Sequence, residues 1–257
     1  LAFIGYGYWH GQQNNKQLEQ IGFNAPDAAA LQRMDLASFT VDWDALRAIN
    51  PDVVGWIYVP GTTVNFPIVH GTDDEHYLKT DFYGQTSWVS FGSIFLSAAN
   101  AADFSDANNI VYGHHMNDGS MFSPFADFGD ADTFNGHRTV YVFTPAVNYQ
   151  LTTFSIVHCA ADDPLAQTAF ASEDERQAYV QDKVDRSVVT VAGLPSAADM
   201  KHTFAFSTCD NLASNGRWVL FAYESGSTAA ASAVADDSSI NPEDVAAVSE
   251  AAKETAA

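Results

Sequence analysis

Eight short runs rich in β-branched and aromatic residues constrain this chain more than any other feature of it. They span 53–59, 64–69, 91–96, 109–113, 138–144, 148–158, 203–208 and 217–223, and each is bounded by Gly, Pro, Asn or Asp. Runs of this length cut by turn formers read as strands, and eight of them suffice to close, or nearly close, a β-barrel. With 47% hydrophobic residues in a chain of 257, there is apolar material for a sizeable core, in one large domain or two small ones. The strand texture begins only after Pro51. Ahead of it, 17–50 reads as a helical cap, with Asp42 preceding Trp43, Leu46 and Ile49 at three-residue spacing and Asn50-Pro51 closing the segment. Between the sixth and seventh runs the pattern breaks over 159–202. Ser172-Glu173-Asp174-Glu175 is a capping box, and Tyr179, Val180 and Val184 supply an apolar stripe that ends near Arg186. A helix is therefore expected before the last two strands. A second short helix is expected after Asp118-Gly119-Ser120, carrying Met121, Phe122 and Phe125.

The two ends differ from this body. Leu1 to Trp9 is apolar and aromatic and turns polar from His10 to Lys16. Tyr and Trp gather at membrane interfaces, so 1–16 reads as the outer end of a membrane anchor or a juxtamembrane segment; the chain has no apolar run of membrane-spanning length. From Ser225 to 257 Ala, Ser and Asp predominate and no aromatic residue occurs. That composition cannot bury enough surface to offset its ordering entropy, which predicts a mobile tail, with a weak helix at most after Asn241-Pro242. The strand-rich body is thus 51–224.

Eleven basic residues stand against 32 acidic ones, a formal charge of −21. Such a chain repels phosphate backbones, so nucleic acid is excluded as a partner. The two cysteines, Cys159 and Cys209, give no disulfide framework. Histidines 10, 70, 76, 137, 158 and 202 show no ligand-like spacing with each other or with the thiols, so no metal site and no cofactor is expected.

Chemistry concentrates around Cys209. It ends the apolar run Thr203-Phe204-Ala205-Phe206-Ser207-Thr208 and is followed by Asp210-Asn211, so a rigid strand delivers a thiol to a loop region. Eight residues on, past Asn215-Gly216, Arg217 opens the next strand. A strand, a turn-rich loop and a returning strand bring the thiol and the guanidinium together. A guanidinium there favours thiolate over thiol and can donate to a developing oxyanion. A base is also required. His114 and His115 sit where the run 109–113 breaks, and since successive strand residues face opposite ways only one of them can face the thiol. Spacing does not choose between them. Taken alone, a single cysteine is more often a buried small hydrophobe, and Cys159 is read that way.

The stretch TFAFSTCD, with Thr208 and Cys209, followed by Arg217 in GRWVLFA, resembles the sortase signature, and NIVYGHHMNDGSMF resembles the sortase histidine motif, in which His directly follows Gly. The class B pattern is matched by NPDVVGWI from Asn50, by Pro67-Ile68-Val69, by DDEHYL from Asp73 and by Gly92-Ser93-Ile94-Phe95-Leu96. The likeness covers about residues 40–224; Ala205-Phe206 depart from the family's usual Thr-Leu, and the Ala-rich tail lies outside the pattern. The resemblance implies a mainly β fold, an eight-stranded sortase-type β-barrel with an N-terminal helical cap and a helix inserted before the last two strands. It implies a cysteine transpeptidase using Cys209, His114 and Arg217, with Leu78, Tyr112, Ser207 and Thr208 along the substrate groove and Asp74 and Asp210 as weaker candidates. The implied partners are a sorting-signal peptide of a surface protein, of Asn-Pro-x-Thr type, and an amine acceptor from a peptidoglycan precursor or a pilin. The implied location is the outer face of a Gram-positive plasma membrane, through an N-terminal anchor. Two rivals remain: a cysteine peptidase that releases the acyl group to water, and a β-barrel binding module with an inert thiol.

Overall fold

A computed structural model describes residues 2–86, 91–160, 162–163, 167–209 and 216–231, with 2–4 and 209 described by their backbone course alone. Eight strands close into a barrel: β1 (Val53–Tyr58), β2 (Asn65–His70), β3 (Ile94–Leu96), β4 (Asn108–Tyr112), β5 (Thr139–Phe143), β6 (Val147–Ala160), β7 (Thr203–Cys209) and β8 (Gly216–Ala229). Around the barrel they run β1-β2-β3-β4-β7-β8-β6-β5, and β5 pairs back to β1. All pairings are antiparallel except β2 with β3 and β4 with β7. Alternation sorts the side chains. Ile57, Val111, Phe204, Phe206 and Leu220 fill the interior together with Phe122 and Phe125, while Ile110, Ala205, Val219 and Phe221 face outward.

Each expected run is a strand, and two of the ends move by more than two residues. β3 begins at Ile94 rather than 91, because Gly92 takes a φ of +53° that no strand residue adopts. β8 continues to Ala229, five residues into the segment expected to be mobile, because residues 147–151 of β6 pair with Glu224 and with 226–229 across a register shift at Ser225. The potential helix after Asn241 lies outside the described residues.

The helices are α1 (Ala2–Gly22), α2 (Ala28–Leu31), α3 (Trp43–Ile49), α4 (His76–Lys79), α5 (Pro124–Asp127), α6 (Ala131–Gly136) and α7 (Glu173–Asp185). The N-terminal cap exists, but α1 runs unbroken through the boundary expected at residue 17. Among the described residues no helix is long and apolar enough to cross a membrane. Asp42 caps α3 as its position demands, its carboxylate accepting the Ala45 N–H at 2.9 Å. Leu18, Phe23, Phe39 and Leu46 of the cap pack on Trp56, Tyr58 and Phe143 of the barrel wall. Gly22 permits this approach: a Cβ there would lie 2.6 Å from the Trp56 ring. Burying Trp56 completely contributes about 2–3 kcal/mol, and its indole N–H is satisfied by Asn65 Oδ1 at 2.7 Å.

α7 covers the outer face of β4, β7, β8 and β6 through Tyr179 and Val180. Ser172 caps it by accepting the Glu175 N–H at 3.2 Å, but the Glu175 carboxylate turns to the Ala171 N–H instead of closing the box on Ser172. Fully buried Asn108 fixes the helix to the barrel, donating to Tyr179 Oη at 3.1 Å and accepting from Thr203 Oγ1 at 2.9 Å.

Candidate active site

The parallel pairing of β4 with β7 sets the site. Residues pair from Asn108 with Thr203 to Tyr112 with Ser207, and the Gly113 N–H continues the ladder to the Ser207 carbonyl at 3.1 Å. Carried two residues past the last pair, this constant offset sets His114 level with Cys209. On the other side of β7, Cys209 pairs directly with Arg217 of β8. Cys209 and Arg217 therefore lie on adjacent strands at one rim, with His114 two residues past the end of β4 on the other side of β7. Ala205, Val219 and Ile110 face α7, so alternation turns Ser207, Arg217 and Tyr112 to that same outer face.

Burial raises the Tyr112 phenol above its ordinary value; the Asp74 carboxylate adds to the rise and the Arg217 guanidinium opposes it. Asp74, Tyr112 and Arg217 thus share one neighbourhood. Asp74 is held there by Ser97 Oγ at 3.0 Å and the Ala98 N–H at 2.6 Å. Leu78, on α4, is exposed. Ser207 and Thr208 are both buried, at 3% and 1% exposed; Thr208 alternates to the barrel interior, with no partner for its hydroxyl among the described residues. Asp210 lies outside the described residues.

His114 Nε2 stands 2.5 Å from the carbonyl oxygen of Leu78. Gly92 backs both groups. A Cβ there would fall 2.8 Å from the Leu78 oxygen and 3.0 Å from His114 Cδ2. The loop beyond His114 folds back on itself, with the Phe122 N–H on the His114 carbonyl at 2.9 Å. Buried Ser123 locks it, its Oγ accepting the Met116 N–H at 2.5 Å and facing the Ser120 and Met116 carbonyls at 2.6 and 2.8 Å. α1 braces the loop from outside, where Gln12 Nε2 donates to Asp118 at 3.0 Å. Gly92 and Ser123 escaped sequence reasoning, since neither carries a reactive group. A cleft of about 670 Å³ runs between α1 and the segments 79–86 and 91–94, with Gly92 on its wall.

Cys159 pairs with Arg217 from the β6 side. Two strand spacings, about 9.5 Å, separate its Cα from that of Cys209, beyond the ~7 Å within which two cysteines can be bridged. Its thiol is pushed up to about 11, first by burial and then by Asp163. A group that holds its proton so firmly is inert at neutral pH. Among the described residues no cluster of His, Cys, Asp or Glu is arranged to hold a metal ion.

Set beside known proteins, the chain falls among the cysteine transpeptidases of the sortase type. It is 30% identical over 190 residues to sortase B of Listeria monocytogenes, covering 72% of this chain and 76% of that one. It belongs to the sortase B family. Sortase B of Staphylococcus aureus is 29% identical over 169 residues, covering 66% and 68% of the two chains. Among solved structures, sortase B of Clostridium perfringens superposes with a TM-score of 0.65 at 29% identity, over 70% of this chain and 98% of that one. A sortase B–substrate complex from Staphylococcus aureus shares the fold, with a TM-score of 0.71 at 24% identity over 84% and 98% of the chains. No protein-family model matches. The eight-stranded barrel with its N-terminal helices and its helix before the last two strands is the architecture that the sequence resemblance implied.

Proposed function

We propose that Cys209 is the nucleophile of a sorting reaction in which His114 moves the proton and Arg217 stabilises the oxyanion. The observation that supports this reading is the register, which pairs Cys209 with Arg217 of β8 and Ser207 with Tyr112 of β4, two residues before His114. The Cys209 thiolate attacks the carbonyl carbon of the threonine of a sorting signal. The tetrahedral oxyanion forms beside Arg217, which donates hydrogen bonds to it. Collapse breaks the C–N bond as His114 protonates the departing amine, leaving a thioacyl enzyme. An acceptor amine then attacks the thioester, His114 takes its proton, and the thiolate leaves.

An Asn-Pro-x-Thr type signal is the expected donor, by family resemblance, lying along Leu78, Tyr112 and Ser207 with Asp74 and Asp210 beside it. Thr208, turned inward, backs the strand end behind these residues. The acceptor is an amine of a peptidoglycan precursor or of a pilin, and the setting is the outer surface of a Gram-positive cell. Attachment through the N-terminal side is supported by Tyr6 and Trp9, adjacent and exposed on α1, since such rings collect at membrane interfaces.

The test is a peptide carrying the signal, incubated with the protein and an added amine and followed by mass spectrometry. Amide-exchanged product and a thioacyl adduct that disappears in Cys209→Ala support the reading. Free acid alone, at every amine concentration, identifies a peptidase; no product and no adduct identifies an inert binding module.

A further inference from the structure

The geometry points to His114 exchanging protons through Nδ1 alone, with its Nε2–H tied to the Leu78 carbonyl and with Gly92 as the positioning residue that makes the tie possible. This inference rests on the proposed role of His114 and deepens it. A carbonyl oxygen has lone pairs and no hydrogen, so the 2.5 Å contact requires the proton to be on Nε2. In neutral imidazole the other nitrogen then carries the lone pair. In the Ser-His-Asp arrangement a carboxylate selects the tautomer and steadies the charged ring. Here a main-chain dipole does both, and its pull strengthens when the ring becomes cationic, because a hydrogen bond from a charged donor is the stronger kind.

Gly92 is what allows the ring and the carbonyl to meet. A methyl group there would fall 2.7 Å from the Tyr77 oxygen and 2.8 Å from that of Leu78, and 3.0 Å from the ring itself. Its φ of +53° is a second reason that only glycine serves. The Ser93 N–H, next in the chain, donates to the Tyr77 carbonyl at 2.8 Å and holds the end of α4 against this segment. The carbonyl is therefore fixed by the fold and not by the substrate.

The proton balance over a full cycle follows. In acylation the Nδ1–H of the imidazolium goes to the leaving amine as its C–N bond breaks and the C–S bond stands. In deacylation the acceptor amine forms a new C–N bond, Nδ1 takes its proton, and the C–S bond breaks to return thiolate. Nε2–H is never transferred, so one nitrogen serves both halves of the cycle and the ring need not turn between them.

Ring-¹⁵N-histidine NMR of the whole chain tests this directly, with the His114 signals identified by their loss in His114→Gln. At the alkaline limit of the titration the inference expects hydrogen on Nε2 and a bare Nδ1. Hydrogen on Nδ1, or an even mixture of tautomers, overturns it. Gly92→Ala gives a second reading: mixed tautomers at His114 with kcat for amide exchange lowered at least tenfold support the positioning role, and an unchanged tautomer with kcat within twofold overturns it. Should that variant not fold, the wild-type spectrum still decides. Retained exchange activity in His114→Gln would instead sink the proposed function, so the two failures are told apart.

Discussion

Ser123 offers the sharpest check on how the loop carrying His114 is held. Ser123→Ala removes a single oxygen that accepts the Met116 N–H at 2.5 Å and donates its one proton to the Ser120 or the Met116 carbonyl. Both Ser123 and Met116 are 7% exposed, so water cannot replace the lost partner without opening the loop. Stranding a buried N–H costs about 1–3 kcal/mol. Taking ~2 kcal/mol, and a shift of about 2–4 °C per kcal/mol for a domain of this size, the melting temperature should fall by about 4–8 °C. Because small misplacements of a reacting group cost about tenfold to a hundredfold in rate, kcat for amide exchange should fall at least tenfold, with KM for the peptide little changed. Differential scanning calorimetry and a steady-state exchange assay measure the two effects. Ser38→Ala is the control: Ser38 also bonds a carbonyl, that of Asp35 at 2.6 Å, but on the surface, and the expected change is under ~0.5 kcal/mol. A Ser123→Ala protein that melts within 1 °C of wild type with kcat within about twofold would refute the argument that a stranded N–H and a loosened loop follow from this substitution.

Cys159→Ala should leave exchange within about twofold, because a thiol pushed up to about 11 is thiolate in only about one molecule in ten thousand at pH 7; a methanethiosulfonate reagent should accordingly label one site quickly, and that label should vanish in Cys209→Ala and persist in Cys159→Ala. Glu173 gives a pH prediction. Hydrogen bonds from Arg176 and then Gln177 hold its carboxyl down, at about 2 against an ordinary 4.5. The stability it lends is therefore complete above about pH 4.5 and is lost as pH falls toward 2, so Glu173→Gln should flatten the acid limb of a melting-temperature profile over that window and leave the profile unchanged in shape above it.

Much of the barrel was legible because alternation is a local signal: each of the eight runs carries its own apolar face, and 148–158 or 203–208 needs no neighbour to be recognised. What was not legible depends on distant partners. Phe91 to Ser93 has the composition of a strand, yet the chain leaves the sheet there, because Gly92 must slip beneath a histidine and a carbonyl from elsewhere in the fold. Residues 225–229 lack apolar weight but remain in β8, since the long β6 offers them a ladder. Glycines at 5, 7 and 11 disfavour a helix by about 1 kcal/mol each; packing of Leu18 and its neighbours on the barrel outweighs that and carries α1 through them. At the site, the thiol and the guanidinium were readable as neighbours from the strand–loop–strand order. Between His114 and His115 spacing left the choice open, and the Leu78 contact of His114 could not be foreseen because it reaches a main-chain oxygen 36 residues away.

The parallel seam between β4 and β7 has a consequence for when the proposed site comes together. Strands β1 to β4 form one contiguous half of the wall and β5 to β8 the other, and β4 meets β7 across nearly a hundred residues of intervening sequence. Contacts of such long range form slowly, since the entropy of closing the loop comes before the reward of pairing. His114 belongs to the first half, Cys209 and Arg217 to the second. A nascent or partly unfolded polypeptide therefore exposes a sulfhydryl without the imidazole proposed to act with it, and the proposed constellation arises only with ring closure of the sheet.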